Sequence, residues 1–319
     1  MPPHFHDPIV DDLRRSPLVT LVTAAHPPRP VFLVSHARTG STLLRYLLDA
    51  HPSLCCPPEL ALGRLCRDLL YTAALALGET RAVPDSPSAG TVAEARRHVD
   101  ELMTACCVRH AKPRWCEKST NNVEYLDALR TVFPDAQYIC LHRNCLDVVE
   151  SLLQLFRYGF TGRYAVLVSR SPSNVLDAMI DTWIEATERI LALEAAQPEA
   201  CLRVRYEDFV ERPAASAERI FTFLGLPFDE GILSTMFTAS HDQGPGDLKI
   251  QFTNAVLANR VGRGSRLPRG QISTDRFAQL NKLQTELGYA VLDPSPSPSE
   301  RVLGGTGRVS RAVASGEWG

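Results

Sequence analysis

The chain has 319 residues and lacks several things that would place it quickly. No Gly-x-x-x-x-Gly-Lys-Ser/Thr stretch is present, which excludes an ordinary Walker-type phosphate loop. Its nine cysteines are odd in number and contain no Cys-x-x-Cys pair, so neither a disulfide framework nor a zinc-finger spacing is written in them. Cys116, Cys140 and Cys201 fall in or beside apolar segments, where cysteine acts as a small hydrophobe, and a reducing compartment is expected. No window approaches ~18 uninterrupted apolar residues and the N-terminus has no basic-then-apolar leader, so a cytoplasmic protein without a membrane partner is expected. The formal charge is only −2, too balanced for a nucleic-acid binder that relies on global charge, although it leaves room for a local basic pocket. There is no internal repeat.

What the sequence does have is a strand, a loop and a helix in close succession. Val31-Phe32-Leu33-Val34 is a β-favouring apolar run, and Leu43, Leu44, Leu47 and Leu48 recur at helical spacing. Between them lie Arg38, Thr39, Gly40, Ser41 and Thr42. Hydroxyls and free backbone N–H groups at a helix start, joined by a planar guanidinium, make a place for a phosphate or sulfate. The bland alternative is a βα turn with a Ser/Thr cap.

Further along, a proline-marked turn precedes an apolar helix ending near Leu77, and residues 79–90 read as a linker. Helices are expected over 91–109, 123–133 (capped by Asn121 or Asn122), 145–156, 174–196 and 214–224, and strands over 114–117, 136–142 and 202–206. Residues 157–173 are irregular and suit a lid. Residues 241–270 carry little periodicity but have Arg260, Arg263, Arg266 and Arg269 at three-residue spacing, as solvated charges or as several donors to one anion. A last helix should start at Ser273 or Thr274 and end at Gly288. Strands alternating with helices predict an α/β fold, a parallel β-sheet flanked by helices on both faces.

Four stretches together, RTGSTLL (38–44), CEKS (116–119), LHRNCLDVVES (141–151) and VRYEDF (204–209), resemble the sulfotransferases that use 3′-phosphoadenosine 5′-phosphosulfate (PAPS). The similarity is to the branch holding the tyrosylprotein sulfotransferases and many bacterial enzymes. It implies a P-loop-kinase-like sulfotransferase fold over residues 30–292, with an N-terminal extension at 1–29 and a disordered tail at 293–319. It also implies that Arg38, Thr39, Gly40, Ser41 and Thr42 hold the 5′-phosphosulfate and that Arg143 and Ser151 hold the 3′-phosphate. Tyr206 would lie near the cofactor, and Arg263 or Arg266 would come from a late cofactor loop. Glu59 would be the general base and Lys118 would stabilise charge on the leaving oxygen, although Ser119-Thr120 departs from the Asp-Pro-like continuation of the branch.

Alternatives stay open at each position. Glu59 could instead complement the positive end of the helix that it precedes. Lys118 could be a surface lysine, and His36 or His110 could share proton handling. The proline-, alanine- and arginine-rich composition fits a bacterial source and a small-molecule acceptor, with no metal required by these residues. A P-loop-type nucleotide kinase or NTPase, and a nucleotide-binding module without catalysis, are the competing functions; the missing Walker lysine weighs against the first.

Overall fold

The computed structural model describes residues 29–79, 86–157, 159, 162–170 and 174–293. The expected N-terminal extension and tail, with the exception of Arg29 and Asp293, lie outside the described residues, as do parts of the linker and of the 157–173 segment. The described chain divides into two compact units.

The first unit comprises residues up to Arg143 together with 186–259. It is built on five parallel strands: β1 (Val31–Ser35), β2 (Leu54–Cys55), β3 (Arg114–Glu117), β4 (Gln137–His142) and β5 (Cys201–Arg205). Their order is β2-β3-β1-β4-β5, with Val31 opposite both Cys116 and Gln137, and Tyr138 opposite Cys201. β1 is buried along its whole length. Its even-numbered residues Phe32 and Val34 enter a core with Trp115, Phe133 and Tyr138, while Val31, Leu33 and Ser35 are equally buried on the opposite pleat. Phe32 meets Trp115 edge-on at 5.5 Å and stacks on Tyr138 at 5.8 Å.

The helices of this unit are α1 (Ser41–Ala50), α2 (Leu62–Ala76), α3 (Ala89–Arg109) and α4 (Leu126–Val132). α5 (Cys145–Leu155), α6 (Gly162–Arg170) and the first half of α7 (Val175–Ala196) belong to the second unit, while the end of α7 returns to the first. α8 (Tyr206–Glu211), α9 (Pro213–Leu224) and the single turn α10 (Ile232–Thr235) complete the first unit. α11 (Thr274–Glu286) belongs to the second. No helix among the described residues is long and apolar enough to cross a membrane.

Several expectations are corrected. β2 is a two-residue strand inside a stretch read as turn and helix; two residues carry no period to detect. The 123–133 helix is split into a 3₁₀ turn (Thr120–Glu124) and α4, and neither asparagine caps it, because Asn122 is turned toward Glu117 and Gly63. The expected irregular 157–173 segment contains the helix α6. The 241–270 segment, read without periodicity, contains short 3₁₀ turns at Leu248–Phe252, Arg263–Arg266 and Arg269–Gln271.

Candidate active site

A parallel sheet carries all its strand C-termini on one edge, and a ligand site forms where the strand order reverses, here beside β1. The residues singled out in the first unit leave that edge one strand at a time. Arg38 to Thr42 follow β1, Glu59 follows β2, Lys118 follows β3, Arg143 follows β4 and Tyr206 follows β5.

The loop after β1 is shaped by local bonds. Thr39 Oγ1 donates to the His36 carbonyl at 2.8 Å, and His36 Nδ1 lies 2.7 Å from the Ala37 carbonyl. His36 therefore braces the loop. Arg38 adopts a left-handed φ of 66°, a conformation that costs energy for a residue with a Cβ. Gly40 follows at φ 92°, and a Cβ there would lie 2.4 Å from the Tyr206 ring, so only glycine fits. Gly40 is the N-cap of α1 and no side chain caps that helix, so the first-turn N–H groups remain beside the Ser41 and Thr42 hydroxyls.

Tyr206 is the residue whose importance local sequence understated. It opens α8 rather than ending β5, its ring closes on Gly40, and the Arg143 guanidinium sits over it at 4.4 Å. Arg143 is buried at 6% exposure and donates from Nη1 to the Arg38 carbonyl at 2.9 Å. Loop, arginine and tyrosine thus form one packed group. Ser35 Oγ, at the end of β1, is buried without a hydrogen-bond partner among the described residues.

Asp247 was not anticipated. Its carboxylate pairs with Arg38 Nη2 at 2.9 Å, and its N–H donates to Thr42 Oγ1 at 3.1 Å. No periodicity marks the 241–259 segment, so nothing local could have placed an acid against the loop.

Around Glu59 the edge is organised by buried charge. Lys118 is 1% exposed, which removes the surface-lysine alternative, and its Nζ lies 2.5 Å from Glu59 Oε1. Thr120 Oγ1 lies 3.5 Å from Glu59 Oε2. Glu59 does not cap the helix that it precedes. The N–H groups of Leu60, Ala61 and Gly63 go instead to Glu117 Oε1 at 3.1 Å, Ser119 Oγ at 2.8 Å and Asn122 Oδ1 at 2.9 Å. Glu117 is fully buried, and burial pushes its carboxyl above the usual range despite bonds from Ser119 and Asn122. Glu59 is left to Lys118 and to the longer contact with Thr120.

Ser151 lies in α5 and Arg263 and Arg266 in a 3₁₀ turn, all within the second unit. There Asp147 accepts the N–H groups of Gly262 at 2.8 Å and Gly264 at 2.6 Å, and Gly264 approaches the Leu146 backbone too closely for a Cβ. Arg266 is exposed and Arg263 half-buried. His110 is held by Asp242 at 2.9 Å.

A parallel sheet flanked by helices, with a tight loop leading from its central strand into a helix N-terminus, defines a P-loop-kinase-like fold. Residues 30–230 match the model of the sulfotransferase family. The chain therefore belongs to the sulfotransferase family and is an enzyme of that class. It is 25% identical over 205 residues to a putative protein-tyrosine sulfotransferase of Caenorhabditis briggsae, covering 64% of this chain and 68% of that protein. It is 27% identical over 212 residues to the nodulation protein NoeE of Sinorhizobium fredii, covering 61% of this chain and 49% of that protein. The matches to curated relatives thus span about half to two thirds of those proteins. Among solved structures, the sulfotransferase domain of the Synechococcus PCC 7002 olefin synthase matches with a TM-score of 0.60 at 24% identity, covering 84% of this chain and 98% of that domain. That likeness supports the fold.

Proposed function

We propose that this chain moves a sulfuryl group from PAPS to an acceptor hydroxyl, with Glu59 as general base. The observation that carries this reading is the release of Glu59 from helix capping. Glu117, Ser119 and Asn122 take the N–H groups of Leu60, Ala61 and Gly63, so Glu59 meets the buried Lys118 at the strand-end edge where the anion loop lies.

The donor set fits a phosphosulfate. Uncapped first-turn N–H groups, two hydroxyls and the Arg38 and Arg143 guanidinium groups supply donors and positive charge, and Ser35 Oγ is a further buried donor at the strand end. When bound there, PAPS supplies the sulfuryl group and departs as the 3′,5′-bisphosphate PAP. Arg38, Thr39, Gly40, Ser41 and Thr42 are assigned to its 5′ end and Arg143 to its 3′-phosphate, with Tyr206 holding Arg143 and the loop together. Ser151, Arg263 and Arg266 are proposed as further 3′-phosphate contacts on the strength of the family resemblance alone.

On the acceptor side, the Glu59 carboxylate takes the hydroxyl proton as the new S–O bond forms. Lys118 stabilises the oxygen that loses sulfur. The ion pair with Lys118 also orients Glu59 before the acceptor arrives. We further propose a small-molecule acceptor and a cytoplasmic setting, both resting on composition and the cysteine pattern. A peptide tyrosine is the second reading, favoured by the names of the curated relatives.

The test is transfer from PAPS to a panel of phenols, sugars, lipid alcohols and tyrosine peptides, with wild type and Glu59→Gln. We expect Glu59→Gln to bind PAP normally and to lose about 10²–10⁴-fold in kcat. Near-normal turnover by the variant would refute the assigned base. Failure of the wild type to prefer PAP over AMP would refute the donor.

A further inference from the structure

The end of α3 and the edge strand β2 bring together three groups that sulfuryl transfer does not use. Cys106 and His110 are four residues apart and share one side of the helix end, and Cys55 is the last residue of β2. The two thiol sulfurs are 3.3 Å apart, and the donor atoms of Cys55, Cys106 and His110 all lie within 4.8 Å of one another. Cys55 is buried, whereas Cys106 and His110 are half-buried, so the cluster is reachable from solvent.

The imidazole is already oriented. His110 Nε2 meets the Asp242 carboxylate at 2.9 Å, and Arg109 holds the same carboxylate. With Nε2 committed to a carboxylate, Nδ1 is the nitrogen assigned to the metal, an arrangement common among metal-binding histidines. Two thiolates and an imidazole are donors for zinc and its neighbours rather than for magnesium or calcium. Metal–ligand bonds of about 2.0–2.3 Å place tetrahedral donor atoms about 3.5–4 Å apart, between the 3.3 Å of the two sulfurs and the 4.8 Å that bounds the cluster.

We propose that Cys55, Cys106 and His110 form a site for a zinc-type divalent cation, positioned by Asp242, with the fourth coordination place open to water. Binding releases two thiol protons and leaves the metal's oxidation state unchanged. The site ties β2 to α3. Glu59 lies four residues beyond Cys55, so the metal acts as a clamp at the root of the segment that carries it.

The test uses the full chain, purified under reductant, loaded with zinc chloride or cobalt chloride and passed over a desalting column. We expect about one metal per chain, a thiolate-to-cobalt charge-transfer band with the intense visible bands of tetrahedral cobalt, and a zinc-dependent rise in Tm. Cys106→Ser, a one-atom change, and His110→Ala, at a half-buried position, should each abolish all three. Cys201→Ser, on β5, should keep them, and Asp242→Asn should weaken zinc affinity about 10- to 100-fold. Equal metal retention by wild type and Cys106→Ser, or a cobalt spectrum without the thiolate band, would overturn the site. None of these readouts depends on sulfuryl transfer, so the site and the proposed activity stand or fall separately.

Discussion

The two sides of the candidate active site are built by different means. The loop at 36–42 takes its bend from bonds that span one and three residues and from two positive-φ backbone positions, and the distant Arg143, Tyr206 and Asp247 then close on it. The segment at 60–63 is held by bonds from residues 57 to 59 positions away in sequence. One side takes its shape from a short peptide on which distant side chains then close; the other exists only once β3 has docked. Their chemistry differs as well: the loop is surrounded by N–H groups and guanidinium groups, whereas the second side centres on two carboxylates and a buried ammonium. The bend of a loop can be written locally, but a carboxylate that takes none of the N–H groups beside it has to be excused from them by distant residues.

The sharpest way to break the local side is Gly40→Ala. A methyl group at φ 92° strains the backbone and collides with the Tyr206 ring, so the loop, the ring and Arg143 must all shift. We expect a loss of about 1–3 kcal/mol in folding stability and of most PAP affinity. Urea denaturation and calorimetric titration would measure both. Retained PAP affinity would show that the loop tolerates a position the packing forbids.

On the distant side the matching change is Glu117→Gln. Every partner of this carboxylate is a donor: the Leu60 N–H, the Ser119 hydroxyl and the Asn122 amide. An amide must turn its own NH₂ toward one of them, leaving a buried clash of donors. The expected cost is about 1–3 kcal/mol, with kcat falling more than PAP affinity because the segment bearing Glu59 loosens while the loop does not. A fall in PAP affinity equal to the fall in kcat would erase the distinction between the two sides.

This contrast explains what was legible in the sequence. β1, the 36–42 loop and α1 were readable because Val31–Val34, Gly40 and the leucines of α1 state their structure within 18 residues, and the parallel sheet followed from the alternation of strands and helices. Glu59, Lys118, Arg143 and Tyr206 were found by resemblance, and nothing local to them showed that Lys118 would be buried against Glu59 or that Tyr206 would wedge Gly40. Asn122 was misread as a helix cap, since an asparagine before an apolar run has that local meaning, yet its amide serves Glu117 and Gly63. Asp247 and the pairing of Cys55 with Cys106 had no signal of any kind: their partners are contributed by segments with no shared period.

A smaller effect should come from Asp49, which fastens α1 to the root of the Glu59 segment. It accepts the Cys56 N–H at 2.9 Å and meets His241 Nδ1 at 2.5 Å. Burial alone would push this carboxyl up, but His241, the Cys56 N–H and the Lys112 ammonium outweigh it and leave it below its ordinary value. A carboxyl depressed in the folded state adds stability above its unfolded value of 3.8, and that stability is lost as pH falls through the folded value. Wild type should therefore lose stability on acidification below about pH 4 more steeply than Asp49→Asn, and the variant should be weaker at pH 7 by about 1 kcal/mol. Urea midpoints at pH 7, 4 and 3 would give the two slopes, and parallel slopes would remove Asp49 from the account.

The smallest expected effect is the most informative about the loop. Asp247 places a carboxylate on the Arg38 fork, the same group assigned to the phosphosulfate, while its N–H takes up the Thr42 hydroxyl oxygen. An anionic ligand must therefore displace a carboxylate already in place, and part of its binding free energy goes into breaking that pair. Asp247 is about one third exposed, so the pair is solvent-screened and its loss should be modest. Asp247→Asn keeps the N–H to Thr42 and removes the competing charge. We expect PAP to bind about two- to fivefold more tightly, with the gain shrinking as salt is raised. Weaker binding would mean that the carboxylate positions Arg38 for the ligand instead of competing with it, and the loop would then need residue 247 as much as residues 117–122 are needed by Glu59.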